Sequence, residues 1–496
     1  MRNFLFVLFA AGMLLTAGCG PSVAEIMAMH DQDLLTNNFN SSLPYMRELV
    51  AADKDKSGDD TPLWLLMVAN AEMLSGDKDA IRAFDEAEDV ILKNDKETKN
   101  YVSAMSVNDK QLKFDPIFQD RMFLSLGKAS LYAAINKKDE ARTEFNRMMQ
   151  YQENWLFERK KEIAASEAAM KESLQNQQKK DAPAAVNQES NKLKREVQKV
   201  YNNLLNSESV LGMILKNCNY DLKNSGDISK MKPNDYQNAY VTHLCGVFRW
   251  LNGDDGAAYL KDARNLKPES ALVAADFTEA DKNVQPKNEI WIYVEDGLCP
   301  IRQEVRMDLP MFLVPFAARY VKYIGIALPK QVYRPAAAST YTVAGVPMEE
   351  LENIDRLLKV EYDVYMNSAV KRELLRSLLK TVPQVAAGVV RDVIDDPYVR
   401  MGCTALQLAA ASYAASTTRA DLRTWNVLPK RVLVQRIKRP ANGVIRLTAD
   451  AQALDIKVAE GNTIVVVRKV AVTSPFVVRQ INFAPEGQTD AGPAKK

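Results

Sequence analysis

Glu295, Asp296, Glu304 and Asp308 fall together in the stretch EDGLCPIRQEVRMDLP, beside Cys299. Carboxylates at this density raise the question of acid–base chemistry. A glycosidase needs two of them facing each other across a cleft, one held protonated by its surroundings. The spacing here points elsewhere. Ile301, Val305, Met307 and Leu309 alternate with Arg302, Glu304, Arg306 and Asp308, with Gln303 on the apolar side. Period two marks a half-buried strand, and the alternating signs on its outer face attract one another. Asp296-Gly297, between EIWIYV and this stretch, is a hairpin signal because glycine tolerates positive φ. The sequence thus predicts a hairpin with Glu295 and Asp296 in its turn, and no catalytic residue is assigned. The alternative keeps Glu295, Asp296, Glu304 and Arg423 as candidates in a C-terminal domain that binds or processes cell-wall glycan.

Other reactive side chains are sparse. The two histidines, His30 and His243, stand far apart, and His243 lies on an apolar helical face, so histidine-based metal or acid–base chemistry is not expected. Cys218, Cys245, Cys299 and Cys403 are too widely spaced for a zinc ligand pattern, and no metal or other cofactor is assigned. Cys218 and Cys245 are near enough in sequence for a disulfide; buried free thiols are the other reading. Asp421, Arg423 and Trp425 share one face if extended. They are candidate interaction residues, together with Tyr132 and Phe248, although a tryptophan beside a charged pair is more often a structural anchor.

The N-terminus carries the most specific signal. MRNFLFVLFAAGMLLTAGCG has one charge, Arg2, an apolar run and then small residues. This is the pattern of a secretory signal peptide over residues 1–18, too short to span a bilayer. Its ending, Leu15-Thr16-Ala17-Gly18-Cys19, resembles the lipobox of bacterial lipoproteins, with Thr16 where leucine is usual. The resemblance implies cleavage before Cys19 and acylation of its thiol, holding the chain to a membrane by its N-terminal lipid. Gly20 in place of aspartate implies the periplasmic side of the outer membrane. A net charge of +2 argues against a dedicated nucleic-acid binder.

The elements that must position these residues divide in two. Residues 19–280 read as helical, with a recurring pair pattern. Ala80, Phe84 and Ala87 follow a Gly76-Asp77 turn; Ala141, Phe145 and Met148 follow Tyr132; Leu260 and Ala263 follow Phe248 and Gly253-Asp254. The pairs resemble tetratricopeptide repeats, in which small residues allow close approach and large ones fill the groove to the next pair. A charged insertion at 151–206 reads as a long helical hairpin with a seam at Leu193, Val197, Val200 and Leu204 and a break at Asp181-Ala182-Pro183. After a polar linker, residues 288–483 read as an α+β domain with a mainly antiparallel sheet, and 484–496 as a disordered tail. The uncharged helical stretch Met401–Thr418 is expected to pack against the sheet. Twelve Lys or Arg against four Asp or Glu between Arg419 and Phe483 suggest either a basic surface or solvated strand edges.

EIWIYVEDGLCPIRQEVRMDLPMF, YIGIALP and DLRTWNVLPKRVLVQRI together resemble a family of uncharacterised bacterial lipoproteins with a tetratricopeptide-like N-terminal part. The Glu295–Gly297 turn, Asp308–Pro310 and the pattern of Asp421, Arg423, Trp425, Leu428 and Pro429 carry the resemblance. It implies an envelope role beside peptidoglycan-associated partners and supplies no catalytic residues. The combined expectation is a scaffold whose helical repeats bind envelope proteins.

Overall fold

The computed structural model describes residues 21–55, 58–77, 79–97, 105, 107–175, 184–206, 212, 215–220, 227–310, 318–321 and 323–483. The signal peptide, Cys19, the Asp181–Pro183 break and the 484–496 tail lie outside them, as does the Leu193 side chain.

The helical region runs through α1 (Val23–Thr36), α2 (Leu43–Lys54), α3 (Thr61–Ser75), α4 (Ala80–Asp95), α5 (Phe118–Ala134), α6 (Lys138–Gln175), α7 (Ala184–Asn206), α8 (Ala239–Leu251), α9 (Ala257–Leu266) and α10 (Ala271–Asp281). Local chemistry sets their ends. Ser22 and Glu25 form a capping box on α1, Gly76 closes α3 at φ 76°, and the Asn238 side chain accepts from the first free amides of α8. Consecutive helices pack as neighbours: α3 on α4, α5 on α6, α8 on α9. Ala80, Phe84, Ala87, Ala141, Phe145, Met148, Leu260 and Ala263 are all buried at these contacts.

A mixed β region follows. β1 (Glu289–Asp296), β7 (Arg431–Lys438), β10 (Asn462–Lys469), β11 (Phe476–Phe483) and β6 (Glu349–Asn353) form a five-stranded sheet in the order β11-β10-β1-β7-β6. The β1–β10 pair is parallel and the others are antiparallel. β4 (Tyr341–Val343), β5 (Val346–Pro347), β8 (Val444–Ala449) and β9 (Gln452–Lys457) form a second sheet. The burial explains the unbroken apolar run of β1. Trp291 and Tyr293 belong to the core shared with the helices, whereas Ile290, Ile292 and Val294 pack with Tyr341, Ile445 and Leu447 of the second sheet. A strand covered on both faces needs no polar alternation.

The expected hairpin does not form. β1 pairs with β10 and β7, while β2 (Ile301–Pro310) pairs with β3 (Tyr323–Val332). Gly297 does take positive φ, at 68°, but it turns the chain out of the sheet. The alternation holds over the second half of β2, where Val305, Met307 and Leu309 pack inward and Arg306 and Asp308 are exposed, but Gln303, expected inward, is exposed and Arg302 and Glu304, expected outward, are half-buried.

The long insertion is not a free arm. α6 is a single 38-residue helix, and both it and α7 pack on the 40-residue α11 (Ile354–Val393). Val197, Val200 and Leu204 of the expected seam join Leu374, Leu375 and Leu378 of α11 in one cluster. The helical region and the sheets are also continuous. Phe84 meets Trp425 edge-on with ring centroids 6.5 Å apart, and Phe248 meets Phe483 at 6.0 Å. The inner face of the helix pairs is therefore filled by the chain's own C-terminal region.

One helix departs from expectation. α12 (Pro397–Thr417) has no buried residue. Both faces of the five-stranded sheet are already covered, so no sheet face remains for it. It lies along α11 instead, where the Gln407 side-chain amide donates to the Gln384 carbonyl at 3.1 Å, and only its C-terminal end meets a sheet, where Arg306 Nη1 of β2 donates to the Ala415 carbonyl at 3.3 Å.

Candidate functional site

The residues singled out from sequence are mostly interior. Glu295 accepts from the Tyr240 hydroxyl at 3.0 Å and pairs with Arg479 at 3.2 Å. Asp296, fully buried, accepts from the Ala337 amide at 2.9 Å, the Tyr341 hydroxyl at 2.7 Å and Arg431 Nε at 2.8 Å. These are saturated structural carboxylates at a strand end, not turn residues. Glu304 lies on another sheet and accepts from the Ala420 amide at 2.8 Å. The four glycan candidates are thus not brought together as an opposed pair in a cleft.

Trp425 and Phe248 are buried, Phe248 against Phe145 with centroids 4.6 Å apart. Tyr132 is half-buried under Lys137. Arg423 binds Asp421 at 2.8 Å and, across the chain, Asp60 at 2.7 Å. His243 is held between Asp276, 2.9 Å from Nε2, and the Tyr293 hydroxyl, 2.9 Å from Nδ1, with no solvent access. Cys218, Cys245, Cys299 and Cys403 are free thiols. Burial pushes the Cys299 thiol up to about 11 and the Cys245 thiol up to about 12, so neither is a ready nucleophile. The basic run after Arg419 is largely spent inside the fold: Arg436 binds Asp276 at 2.7 Å, Arg431 binds Asp296 at 2.8 Å, and Arg468 and Lys469 are buried, whereas Lys438 is exposed.

No family model, curated protein or solved structure matches this chain.

Two features outside the expected set carry chemistry. The first is a partly open pocket of about 140 Å³ between α5, α6, α11, the 109–117 segment and the segment before β7. One wall is an ion-pair network. Asp109 binds Arg372 at 2.6 Å and also Arg376, which in turn holds Glu373. Burial alone would raise the Asp109 carboxyl, but the two guanidinium groups outweigh it and hold the group well below the usual carboxylate range. The other wall is less complete. Asp120 Oδ2 accepts from the Ile117 amide at 3.1 Å, and Glu361 Oε1 accepts from Trp155 Nε1 at 2.6 Å. Asp120 Oδ1, Glu361 Oε2 and Arg159 Nε are buried with no protein partner. Burial raises both carboxyls above their ordinary values. Asp421 and Arg423, singled out from sequence, line this pocket, but its other members were missed because they are scattered. The available signal was charge at core spacing on one helix, Glu361, Arg372 and Arg376 of α11.

The second feature is the outer face of α12. Tyr398 is 81% exposed, Met401 67% and Leu408 70%. With the small residues Ala405 and Ser412, also exposed, they fall at three- and four-residue steps along one helical stripe. Residues 401–418 include no charged side chain. Asp395, Asp396 and Arg400 mark one end, with Arg400 paired to Asp395 at 3.1 Å, and Arg419 the other, 3.4 Å from Glu304. Among the described residues no helix is long and apolar enough to cross a membrane.

Proposed function

We propose that this chain is a lipid-tethered envelope scaffold that works by docking, and that the outer face of α12 is its docking element. The leader and Cys19 support tethering to the periplasmic side of the outer membrane. The stacked helix pairs are read as degenerate tetratricopeptide-like repeats. Their inner face is occupied by the chain's own sheet, so envelope partners, peptidoglycan-associated ones included, must meet another surface. The observation that carries the reading is the exposed stripe of Tyr398, Met401, Ala405, Leu408 and Ser412. Such spacing is the seam of a two-helix contact, and the small side chains of Ala405 and Ser412 allow close approach.

The occupant this surface fits is the same helix of a second copy, laid antiparallel. That arrangement brings the net-negative end of each helix, Asp395, Asp396 and Arg400, beside Arg419 of the other. A parallel arrangement would set like charges together. Two tethered copies would hold each other at the bilayer more firmly than one acyl anchor does. Sedimentation of the detergent-solubilised chain tests this. The wild type is expected to form a dimer that Leu408→Lys dissociates into monomers that remain cooperatively folded. A monomer at all concentrations would overturn the self-pairing. Metabolic labelling with a clickable fatty acid, present in the wild type and lost in Cys19→Ala, tests the tether.

A further inference from the structure

The pocket described above has three unmet valences, and their arrangement is selective. Asp120 Oδ1 and Glu361 Oε2 are two carboxyl oxygens with nothing to accept from, and Arg159 Nε is a donor with nothing to donate to. Asp120 is 2% exposed and Glu361 4%. Each is fixed by a bond to its other oxygen, from the Ile117 amide and from the Trp155 indole, so neither can swing away to find water. Trp155 is itself pinned, stacked on Tyr236 with centroids 4.4 Å apart. Arg159 is held by Glu162 through Nη1 at 2.7 Å, which orients the planar guanidinium and leaves Nε without a protein partner. Arg302 supplies a second guanidinium to the lining, its plane over the Tyr365 ring at 5.0 Å.

Leaving such groups unsatisfied costs about 1–3 kcal/mol each. A fold that keeps three of them around one cavity, while completing an ion-pair network on the adjoining wall, is built to receive something. Water could satisfy single valences. It does not explain why two acidic groups and one cationic group converge. A pocket of about 140 Å³ has room for a small molecule.

We propose that this pocket binds a small amino-acid-like zwitterion, with its ammonium group between Asp120 and Glu361 and its carboxylate toward Arg159 and Arg302. Burial raises both carboxyls, and an incoming ammonium would restore their charge, so neither half of the ligand suffices alone. The binding is non-covalent. It is independent of whether α12 pairs.

Calorimetric titration and thermal shift on the detergent-solubilised full chain test the proposal. The probes are glycine, L-alanine, D-alanine and L-glutamate, with methylammonium and acetate as the two half-ligands. At least one zwitterion is expected to bind and to raise the melting temperature, with both half-ligands at least about tenfold weaker. Asp120→Asn and Glu361→Gln preserve the bonds to Ile117 and Trp155, and each is expected to weaken zwitterion binding by about tenfold or more. Their melting curves without ligand report whether they fold. Should Asp120→Asn fail to fold, Glu361→Gln decides. No saturable binding by any zwitterion, a half-ligand binding equally well, or unchanged affinity in a folded variant would each overturn the assignment.

Discussion

Asp109 Oδ2 meets Arg372 Nη2 at 2.6 Å, joining two residues 263 positions apart in the chain. The bond ties the segment after α4 to α11, and Arg372 Nη1 extends it to the Ser166 hydroxyl of α6 at 3.0 Å. Three separate stretches therefore depend on one buried guanidinium. Breaking a buried pair by removing one partner leaves a charge uncompensated and costs roughly 3–5 kcal/mol. Arg372→Ala is expected to lose about that much in urea denaturation at pH 7. Asp109 has a folded pKa below its unfolded one. Its contribution is present above about pH 4, the unfolded value, and is lost as pH falls toward the folded value. The gap between wild type and Asp109→Asn should therefore narrow in acid. A gap independent of pH would show that the carboxylate charge is not what holds these stretches.

His30 titrates in the same direction from a different cause. It is fully buried beside Phe39, and neither ring nitrogen has a partner. Burial lowers its pKa to about 4, against the pull of Asp33, with Arg334 adding to the lowering. A histidine with a depressed folded pKa stabilises the fold above its unfolded value of about 6.5. That stability is lost as pH falls from there toward 4, at roughly 1.4 kcal/mol per pH unit. His30→Leu removes both orphan nitrogens. It should flatten the pH dependence of the melting temperature between pH 6.5 and 4.5, and an unchanged slope would contradict the account.

Much of the architecture was legible because it rests on local patterns. EIWIYV reads as a buried strand, since its apolar run must fill a core on both sides. The helix pairs read from Phe84, Phe145 and Phe248 with their small neighbours. What failed was long-range. Asp296-Gly297 has hairpin chemistry, but the partner of β1 is decided by β10, far along the chain, whose Ile464 and Val466 complete the face that Trp291 and Tyr293 begin. Met401–Thr418 lacks charge as a buried helix would, and nothing local reveals that the sheet has no face left to cover. The pocket was illegible for the same reason: Asp109, Asp120, Arg159 and Glu361 meet only after folding.

The alanines marked from sequence are not the tightest helix contacts. A Cβ on Gly246 of α8 would sit 2.7 Å from the Leu260 side chain and 3.0 Å from the Leu260 backbone nitrogen. One on Gly256 would lie 2.3 Å from the Gly246 carbonyl oxygen. Backbone cannot yield as a side-chain tip can, so α8 and α9 would have to separate. Gly256→Ala is expected to cost about 2–3 kcal/mol or more, and Gly246→Ala somewhat less because part of its clash is with the Leu260 side chain. Thermal denaturation of both variants checks the order.

Trp425 separates structural from ligand-binding roles. It is 2% exposed, packs edge-on against Phe84, and leaves its indole nitrogen without a partner. Trp425→Phe keeps most of the packing and removes that orphan donor. It should cost less than about 1.5 kcal/mol, whereas Trp425→Ala should cost about 3–5 kcal/mol. A ligand platform would respond to the phenylalanine variant in binding assays with its stability intact.

Asp120 sets stability against occupancy. Its folded pKa lies above its unfolded value, the opposite of Asp109, because burial, with Glu361 adding to it, outweighs the Ile117 amide bond and the pull of Arg302 and Arg121. The sign reverses accordingly: the empty fold loses stability as pH rises from the unfolded value, about 4, through the folded one. Asparagine cannot ionise and still accepts from the Ile117 amide. Asp120→Asn should therefore match the wild type near pH 4 and exceed its stability at neutral pH by on the order of 1 kcal/mol. An uncharged replacement that stabilises the empty protein is what a group retained for binding predicts. A carboxylate kept for the fold alone would give the reverse, with Asp120→Asn less stable than the wild type at pH 7.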